Sequence, residues 1–255
     1  MRREQGAEWR QRASLLGRAL QDLIFPPHCL GCRAKLVSSA LPLFCPTCAG
    51  AVQILAPPGC ACCGRPLPDA VAGPAHRCGA CLAKPPLFSR ARAIAIYDGP
   101  LAQAIQNFKY REGLAGLATF ATLARQATAA AELSEPDLIL PVPLHLRRLR
   151  QRGFNQALLL ARAFFPAERA RIVSDLLLRQ RWTTPQTGMN GRERRRNLKG
   201  AFSVAPERAT KIKGQSILLV DDVFTTGSTV NECAGVLLAA EAREVQVLTL
   251  ARVRE

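Results

Sequence analysis

The sequence has few aromatic residues and no long apolar run. Aromatic side chains make up 5% of its 255 residues, which leaves little material for the stacking platforms that single-strand nucleic-acid binders usually carry. No stretch reaches about 18 consecutive apolar residues, so no transmembrane helix is expected. The basic N-terminal stretch lacks the uninterrupted apolar core and the small-residue cleavage site of a secretory signal. We therefore expect a cytoplasmic protein.

Acidic residues are also scarce. Lys and Arg number 35 against 19 Asp and Glu, which gives a formal net charge of +16. This balance favours polyanionic partners such as phosphate-rich metabolites, nucleic acid or a membrane surface, without choosing among them. The Gly-Lys-Ser/Thr signature of a Walker A loop is absent, so any phosphate site must be built in another way.

Cysteine, by contrast, is concentrated in one part of the chain. Ten cysteines occur, and eight of those between positions 29 and 81 form four Cys-x-x-Cys pairs. Four thiolates hold zinc tetrahedrally, and two adjacent pairs supply one set. The simplest assignment gives two structural zinc ions, one bound by Cys29, Cys32, Cys45 and Cys48, and one by Cys60, Cys63, Cys78 and Cys81. A cross-braced pairing stays open.

Two further questions concern this cysteine-rich segment. Disulfides are the alternative to zinc, but a reducing compartment disfavours them. Cys62 lies beside Cys63, so either can serve as a ligand; the repeated x-x spacing and the glycine that follows favour Cys63. The segment is rich in Pro and Gly and can hardly bury a core alone, so the metal should supply its folding energy.

Residues 217–229, ILLVDDVFTTGST, combine a buried strand, two aspartates and a helix start. Asp221 and Asp222 are expected at the carboxyl end of the strand, where ligands bind in open α/β sheets. Residues 225–229 then open a helix, whose first N–H groups form an anion site. Carboxylates would repel a bare phosphate but suit sugar hydroxyls and magnesium. The segment therefore predicts a pocket for a phosphorylated sugar.

Apolar periodicity elsewhere predicts alternating strands and helices. Strands are expected at 90–97, 137–143, 201–204, 216–221 and 244–253, and helices at 100–110, 114–133, 155–164 and 229–240. Such alternation favours an α/β fold with a parallel sheet. We divide the chain into an amphipathic helix over 1–25, a zinc-binding segment over 26–86 and an α/β domain over 87–255. The polar residues 179–200 are predicted to form a long loop.

Two arginine-rich segments accompany this pattern. Arg147, Arg148, Arg150 and Arg152 follow the strand at 137–143, where a second phosphate-binding loop is expected, and Arg192, Arg194, Arg195 and Arg196 lie in the long loop. Guanidinium groups bind phosphate through two hydrogen bonds and keep their charge. A solvated basic face is the alternative interpretation for each of them.

The order of these segments resembles the ComF family of bacterial competence-associated proteins. The resemblance extends over nearly all of residues 29–253. Its motifs are the four cysteine pairs, SRARAIAIYDGPLAQAIQNFKY, LILPVPLHLRRLRQRGFNQA, TTPQTGMNGRERRRNLKGAF and ILLVDDVFTTGST. It implies a parallel sheet of the type I phosphoribosyltransferase kind flanked by helices, with a small N-terminal double zinc ribbon.

The resemblance also implies roles for particular residues. The last motif is similar to the phosphoribosyl pyrophosphate (PRPP) motif, in which the acidic pair binds ribose hydroxyls and the following loop binds the 5-phosphate, with magnesium. By position, the expected PRPP-binding residues are Asp221, Asp222, Thr225, Thr226, Gly227, Ser228 and Thr229. Lys109, Arg148 and Arg152 are the candidates for stabilising negative charge on a leaving pyrophosphate.

Two functions follow from the resemblance. Family members are linked to handling incoming single-stranded DNA, which implies a PRPP-binding protein with single-stranded DNA and other competence proteins as partners. Arg194, Arg195 and Arg196 are the expected nucleic-acid contacts. Trp182, Phe154 and Tyr110 lie beside basic residues and are candidates for stacking on bases, with a place in the core as the alternative for each. The alternative is an active phosphoribosyltransferase on an unidentified acceptor, unrelated to DNA uptake. No residue stands out as the general base that such an enzyme needs.

Overall fold

The computed structural model of the protein describes residues 26–36, 41–68, 75–182 and 198–254, with the backbone alone for 111–113. The predicted N-terminal helix over 1–25 lies outside these residues. The same holds for Arg194, Arg195 and Arg196 and for most of the predicted loop over 179–200.

The described residues contain six strands in two sheets. They are β1 (Arg90–Ile96), β2 (Leu138–Pro141), β3 (Leu177–Arg179), β4 (Phe202–Val204), β5 (Ser216–Phe224) and β6 (Glu244–Arg252). Four of them make a parallel sheet in the order β1-β6-β5-β2, and β3 pairs antiparallel with β4. The predicted α/β architecture is confirmed. Its central strands are buried on both faces, as continuous apolar runs in parallel sheets are.

Seven α-helices occur in the described residues, two of them before β1 and five among or beside the strands. They are α1 (Pro46–Gly50), α2 (Gly79–Ala83), α3 (Gly99–Phe108), α4 (Leu117–Gln126), α5 (Leu146–Arg152), α6 (Gln156–Phe164) and α7 (Ser228–Ala239). Short 3-10 helices span Arg111–Gly116, Arg169–Arg171 and Pro206–Lys211. No helix in the described ranges is long and apolar enough to cross a membrane.

Two predicted elements differ from the structure. The helix expected over 114–133 is only Leu117–Gln126, because Ala127 adopts an extended conformation and helix propensity alone sets no end point. The prediction of a loop directly after β2 is wrong. Residues Leu146–Arg152 form α5, which begins where the His145 ring accepts a hydrogen bond from the Arg147 N–H and ends at left-handed Gly153.

Strand β5 is longer than predicted, and this changes the position of the aspartates. The ladder with β6 continues past Asp221 to Phe224, which lies opposite Arg252. On the other side, β2 ends at Pro141, opposite Val220. Asp221 and Asp222 therefore lie inside β5, at the point where its β2-facing edge becomes open to a ligand.

The sheet separates two apolar cores. Alternate residues of β5 point to opposite faces, so Ile217 and Leu219 belong to one core and Leu218 and Val220 to the other. The first core contains α7, the β3–β4 sheet and Cys60, Cys62, Cys78 and Cys81. The second contains α3, α4, α6 and Cys29. The two cysteine groups thus pack on opposite faces of the same sheet.

The connection between the cysteine groups runs along the outer edge of β1. Ile54 forms an antiparallel bridge with Ala95. The Leu55 N–H donates to the Ile94 carbonyl at 2.9 Å, and the Ile96 N–H donates to the Gln53 carbonyl at 2.9 Å. This segment satisfies backbone groups that an edge strand otherwise exposes.

Two glycines allow the cysteine groups to approach the sheet and its helices closely. A Cβ on Gly31 would lie 2.5 Å from Cβ of Pro100, at the start of α3. A Cβ on Gly64, whose φ is +66°, would lie 2.6 Å from the carbonyl oxygen of Ala91 in β1. Both positions need glycine for close packing, and Gly64 also needs its left-handed backbone.

Candidate functional site

The two aspartates form the centre of the site. The Asp222 N–H donates to the Asp221 carboxylate at 2.9 Å, and the Val223 N–H donates to the Asp222 carboxylate at 2.7 Å. Lys109, at the end of α3, places its Nζ 3.7 Å from Oδ2 of Asp222. Folding therefore brings Lys109 next to the aspartate pair from a distant part of the chain. These three residues are ones that the sequence assigned to one site.

The pKa of Asp221 is raised to about 8. Burial is the main cause, and the charge of Asp222 adds to it, while the Asp222 N–H, Lys109 and Arg179 act in the opposite direction. The surroundings of Asp221 therefore favour its protonated form. A bound cation would displace the proton and recover the negative charge.

The loop after β5 provides the anion-binding part of the site. Gly227 has φ +71° and precedes Ser228, the first residue of α7. The Oγ1 of Thr226 lies 2.8 Å from the Oγ of Ser228. Because glycine has no side chain to cap the helix, the first N–H groups of α7 remain available to an anion.

Replacing Gly227 with alanine should destabilise this loop. A Cβ there would lie 2.6 Å from Cζ of Phe224, in a backbone conformation that L-residues rarely adopt. We expect Gly227→Ala to lower the free energy of unfolding by about 2 kcal/mol in urea titrations. Gly50→Ala is the control, because a Cβ on Gly50 meets no atom within 4 Å. Equal stability of the two variants would contradict the strained geometry.

Helix α5 carries the two arginines that the sequence assigned to the site, Arg148 and Arg152. Arg152 is half-buried, and its pKa is lowered by burial and by Arg148, while Asp222 and Tyr110 raise it. Arg152 is thus within electrostatic range of Asp222. Arg148 lies over the ring of Trp182, with Cζ 5.4 Å from the ring centroid. Helix α5 therefore presents one of its two candidate arginines to the aspartates and one to an aromatic ring.

Sequence reasoning missed two arginines near the site. Arg179, in β3, interacts electrostatically with Asp221, and burial lowers its pKa. Arg252, at the end of β6, is 2% exposed and donates to the Cys63 carbonyl at 2.6 Å. Its guanidinium lies 5.3 Å from the ring centroid of Phe224. The sequence feature that could have identified Arg252 is its position as a basic residue at the end of a mostly apolar strand.

The cysteines form the two groups that their spacing predicted. One consists of Cys29, Cys32, Cys45 and Cys48, the other of Cys60, Cys63, Cys78 and Cys81, and within each group the sulfur atoms lie within 4.8 Å of one another. Neighbouring sulfurs are 3.8 Å apart in the first group (Cys32–Cys45) and 3.7 Å in the second (Cys63–Cys78). Four thiolates about 2.3 Å from a tetrahedral zinc ion require nearly this separation.

Backbone N–H groups prepare both groups for metal binding. Burial by itself raises the pKa of Cys60, but the N–H groups of Cys78, Cys63 and Cys62 lower it to about 6. At Cys29 burial is likewise outweighed by neighbouring N–H groups, and its pKa is also about 6. Such N–H groups stabilise the thiolate form that coordinates zinc.

Cys62 lies outside these groups. It is 5% exposed, its Sγ lies 3.9 Å from the Phe88 carbonyl oxygen, and its own carbonyl accepts a hydrogen bond from Ala91 N–H at 2.7 Å. Its neighbour Cys63 is the residue placed in the second group. Cys62 therefore belongs to the contact between the second cysteine group and β1.

Comparison with protein families gives two matches along the chain. Residues 20–82 match the double zinc ribbon domain, and residues 167–255 match the phosphoribosyl transferase domain. Together with the parallel sheet and the two cysteine groups, these matches define a phosphoribosyltransferase-type α/β protein that carries a double zinc ribbon. The predicted fold class, including the ribbon, is confirmed.

Curated relatives make the assignment more specific. Competence protein F of Haemophilus influenzae is 35% identical over 230 residues, which cover 88% of this chain and 96% of that protein. DNA utilization protein YhgH of Salmonella typhimurium is 36% identical over 234 residues, 90% of this chain and 99% of the relative. Competence protein ComFC of Bacillus subtilis is 25% identical over 167 residues, 65% of each chain. The chain belongs to the ComF family.

A solved structure of glutamine PRPP amidotransferase from B. subtilis is also similar. The matched region covers 61% of this chain and 28% of the amidotransferase chain, with 18% sequence identity and a TM-score of 0.33.

Proposed function

We propose that this ComF-family protein binds PRPP with magnesium at the carboxyl end of β5. The observation that carries the proposal is the acidic pair in the last part of β5, followed across a short loop by the start of α7, which has no side-chain cap. Asp221 and Asp222 would bind the ribose hydroxyls and the magnesium ion, which prefers carboxylate and phosphate oxygens. The loop Thr225, Thr226, Gly227, Ser228 and Thr229 would bind the 5-phosphate through its N–H and hydroxyl groups.

Lys109, Arg148 and Arg152 would hold the pyrophosphate end of the ligand. Lys109 contacts Asp222 in the structure, 3.7 Å from its Oδ2. The Lys109 ammonium group and the magnesium ion would compete for the Asp222 carboxylate. Binding of magnesium to Asp222 would therefore release Lys109 from this contact. Lys109 would then be free to pair with pyrophosphate beside Arg152, where its charge opposes that of the ligand.

Isothermal titration calorimetry tests this proposal. PRPP with magnesium should bind in the micromolar range and more tightly than ribose 5-phosphate or pyrophosphate, because it alone occupies both ends of the site. Omitting magnesium should weaken binding. No heat from PRPP and magnesium would overturn the proposal.

For the biological role, we propose handling of single-stranded DNA in the cytoplasm during natural transformation, together with other competence proteins. The relatives named for competence and DNA utilization support this role, and so does the net charge of +16. Trp182 supplies a local surface for it, since Cζ of Arg147 lies 5.0 Å from its ring centroid and the His145 ring packs edge-on at 5.3 Å. An aromatic ring among cations is typical of single-strand binding.

Trp182→Ala should therefore weaken binding of labelled single-stranded DNA by about tenfold, the scale of one lost base stack. Trp182→Phe, which keeps an aromatic face, should retain most of the affinity. Reversing the charge of Arg194, Arg195 and Arg196 to glutamate should weaken binding further and reduce its salt dependence. Fluorescence anisotropy at fixed salt measures both effects, and unchanged binding in all variants would contradict the DNA role.

A phosphoribosyltransferase unrelated to DNA uptake is not favoured, because the relatives that match nearly the whole chain are named for competence and DNA utilization. Whether PRPP is turned over is a separate question. Release of pyrophosphate in the presence of candidate acceptors answers it directly.

A further inference from the structure

A cavity of about 520 Å³ lies between the second cysteine group and the loop after β5. Cys63, Cys78 and the Lys84–Pro86 segment form its ribbon side, and Phe224, Arg252 and the start of α7 form its sheet side. This volume is within the range of small-molecule pockets. Neither a zinc ribbon nor a PRPP site by itself requires such a space.

The charge of the lining favours an anion. The lining contains four basic side chains, Arg65, Lys84, Lys199 and Arg252, and one carboxylate, Glu232. Glu232 accepts a hydrogen bond from the Gly200 N–H at 2.7 Å. A zinc ion with four thiolates carries two negative charges, and Arg252 lies beside one of its ligands, since its guanidinium donates to the Cys63 carbonyl at 2.6 Å. Within the described residues, no carboxylate lies at ion-pairing distance from Lys84 or Lys199.

The remaining wall favours a flat apolar group. The rings of Phe88 and Phe224 meet edge-on with their centroids 6.1 Å apart. Pro85 and Pro86 complete the apolar surface on the ribbon side. Arg252 holds the ring of Phe224 in place through its cation–π contact of 5.3 Å. Aromatic ligands pack well against such rings.

The cavity also has an informative position. Thr226, Gly227 and Ser228 line it, whereas Asp221 and Asp222 do not. A ligand here would touch the proposed 5-phosphate loop from the side of the zinc ribbon, with the aspartates left free.

From these features we infer a second ligand site, for a small planar aromatic acid, between the zinc ribbon and the loop after β5. The aromatic group packs against Phe224 and the prolines, and its negative group pairs with Lys84 and Lys199. The use of this site for an acceptor of phosphoribose rests on the proposed function. Binding of the aromatic acid does not, because the residues that would hold it (Phe224, Pro85, Pro86, Lys84 and Lys199) are not among the proposed PRPP-binding residues.

Calorimetry with matched probes tests the inference on the full-length, zinc-loaded protein. Benzoate, pyridine-3-carboxylate and a pyrimidine carboxylate are each compared with the corresponding neutral amide, and with acetate as an anion without a ring. We expect at least one acid to bind about tenfold more tightly than both its amide and acetate. The inference is wrong if no acid exceeds its amide.

Matched variants locate the site. Lys84→Ala with Lys199→Ala should weaken binding of the acid about tenfold, since two cations are lost. Lys35→Ala with Lys211→Ala removes the same charge from exposed positions outside the cavity and should leave binding unchanged. If the two double variants weakened binding equally, the acid would be responding to the overall charge of the protein, and the assignment of the site would be wrong.

A third variant separates this inference from PRPP binding. Asp221→Asn with Asp222→Asn should leave binding of the acid unchanged while PRPP binding is lost. Binding of the acid by a wild-type protein that fails to bind PRPP would refute the proposed function alone. Loss of acid binding in the aspartate variant would show that both ligands use one site, against the inference.

Discussion

Replacing Asp221 and Asp222 together with asparagine should lower the affinity for PRPP and magnesium by at least about 100-fold, because the site loses both charged oxygen ligands for the metal and the sugar hydroxyls. Asparagine has nearly the same size and shape, so the loop after β5 keeps its position. Calorimetry with the double variant measures the loss. Asp175→Asn is the control, because Asp175 pairs with Arg208, which is not a residue of the proposed site, and the variant should not affect binding.

The same double variant should be at least as stable as the wild type. The pKa of Asp221 is raised to about 8 by burial and by Asp222, so its protonated form is favoured by folding. That contribution is complete below the unfolded pKa near 4 and is lost as pH rises through 8. At pH 8 the wild type therefore carries a cost that asparagine avoids, while the Lys109–Asp222 pair contributes little. Thermal unfolding at pH 6 and pH 8 measures the difference.

Wild-type affinity for PRPP and magnesium should also depend on pH. If binding requires ionised Asp221, affinity rises up to about tenfold per pH unit below pH 8 and levels off above it. A double variant that still binds PRPP tightly, or wild-type affinity that is flat across this range, would contradict the role given to the carboxylates.

Removing the second zinc site should have the largest effect on stability. Cys60→Ser with Cys63→Ser leaves two of the four sulfurs, and the zinc content should fall from two ions per chain to one. Structural zinc sites contribute about 10 kcal/mol or more to small domains, comparable with the whole stability of a typical protein. We expect the melting temperature to fall by at least about 10 °C, measured by circular dichroism together with metal analysis.

The fold explains why this loss should not remain local. Cys60 and Cys78 belong to the same core as Ile217 and Leu219 of β5. The Cys63 carbonyl accepts the hydrogen bond of buried Arg252. Without the metal, both the core and this hydrogen bond lose their support. Destabilisation should therefore reach the strand that carries the aspartates.

Cys62→Ser is the matched control for the zinc prediction. Its sulfur lies at the Phe88 carbonyl and outside the metal group, so the variant should keep two zinc ions and lose only about 1 kcal/mol of stability. Loss of zinc in Cys62→Ser but not in the Cys60/Cys63 variant would refute the ligand assignment. Full stability of the zinc-free protein would refute the structural role of the metal.

The elements that the sequence predicted well are those with local causes. Coordination chemistry determines the spacing of a Cys-x-x-Cys pair, so the spacing predicted the four pairs. The structure then decided between adjacent and cross-braced combinations of these pairs. The run from Ile217 to Val220 predicted a strand buried on both faces, because all four of its consecutive residues are apolar. The proposed class of ligand rests on the same few residues.

The features that the sequence did not predict depend on contacts between distant segments or on weak local signals. In helix α5 the arginines conceal the spacing of Leu146 and Leu149 and the His145 cap, so the pattern there indicates a loop. Arg179 and Arg252 approach the site only because β3 and β6 are placed by the rest of the fold. No local pattern indicates that the two ribbons occupy opposite faces of the sheet.

The strand order has a consequence for how the chain is made. Strand β1 pairs with β6, and Arg90 lies opposite Gln246, so two of the most distant described strands are neighbours. During synthesis the zinc ribbons and β1 leave the ribosome long before β6 exists, and pairing across such a sequence separation is slow. The ribbons can bind zinc early in synthesis, but the parallel sheet against which they pack is complete only after β6 has been made. A chain that stops before β6 has its metal centres and its acidic motif, yet β1 has no strand that joins it to β5 and β2.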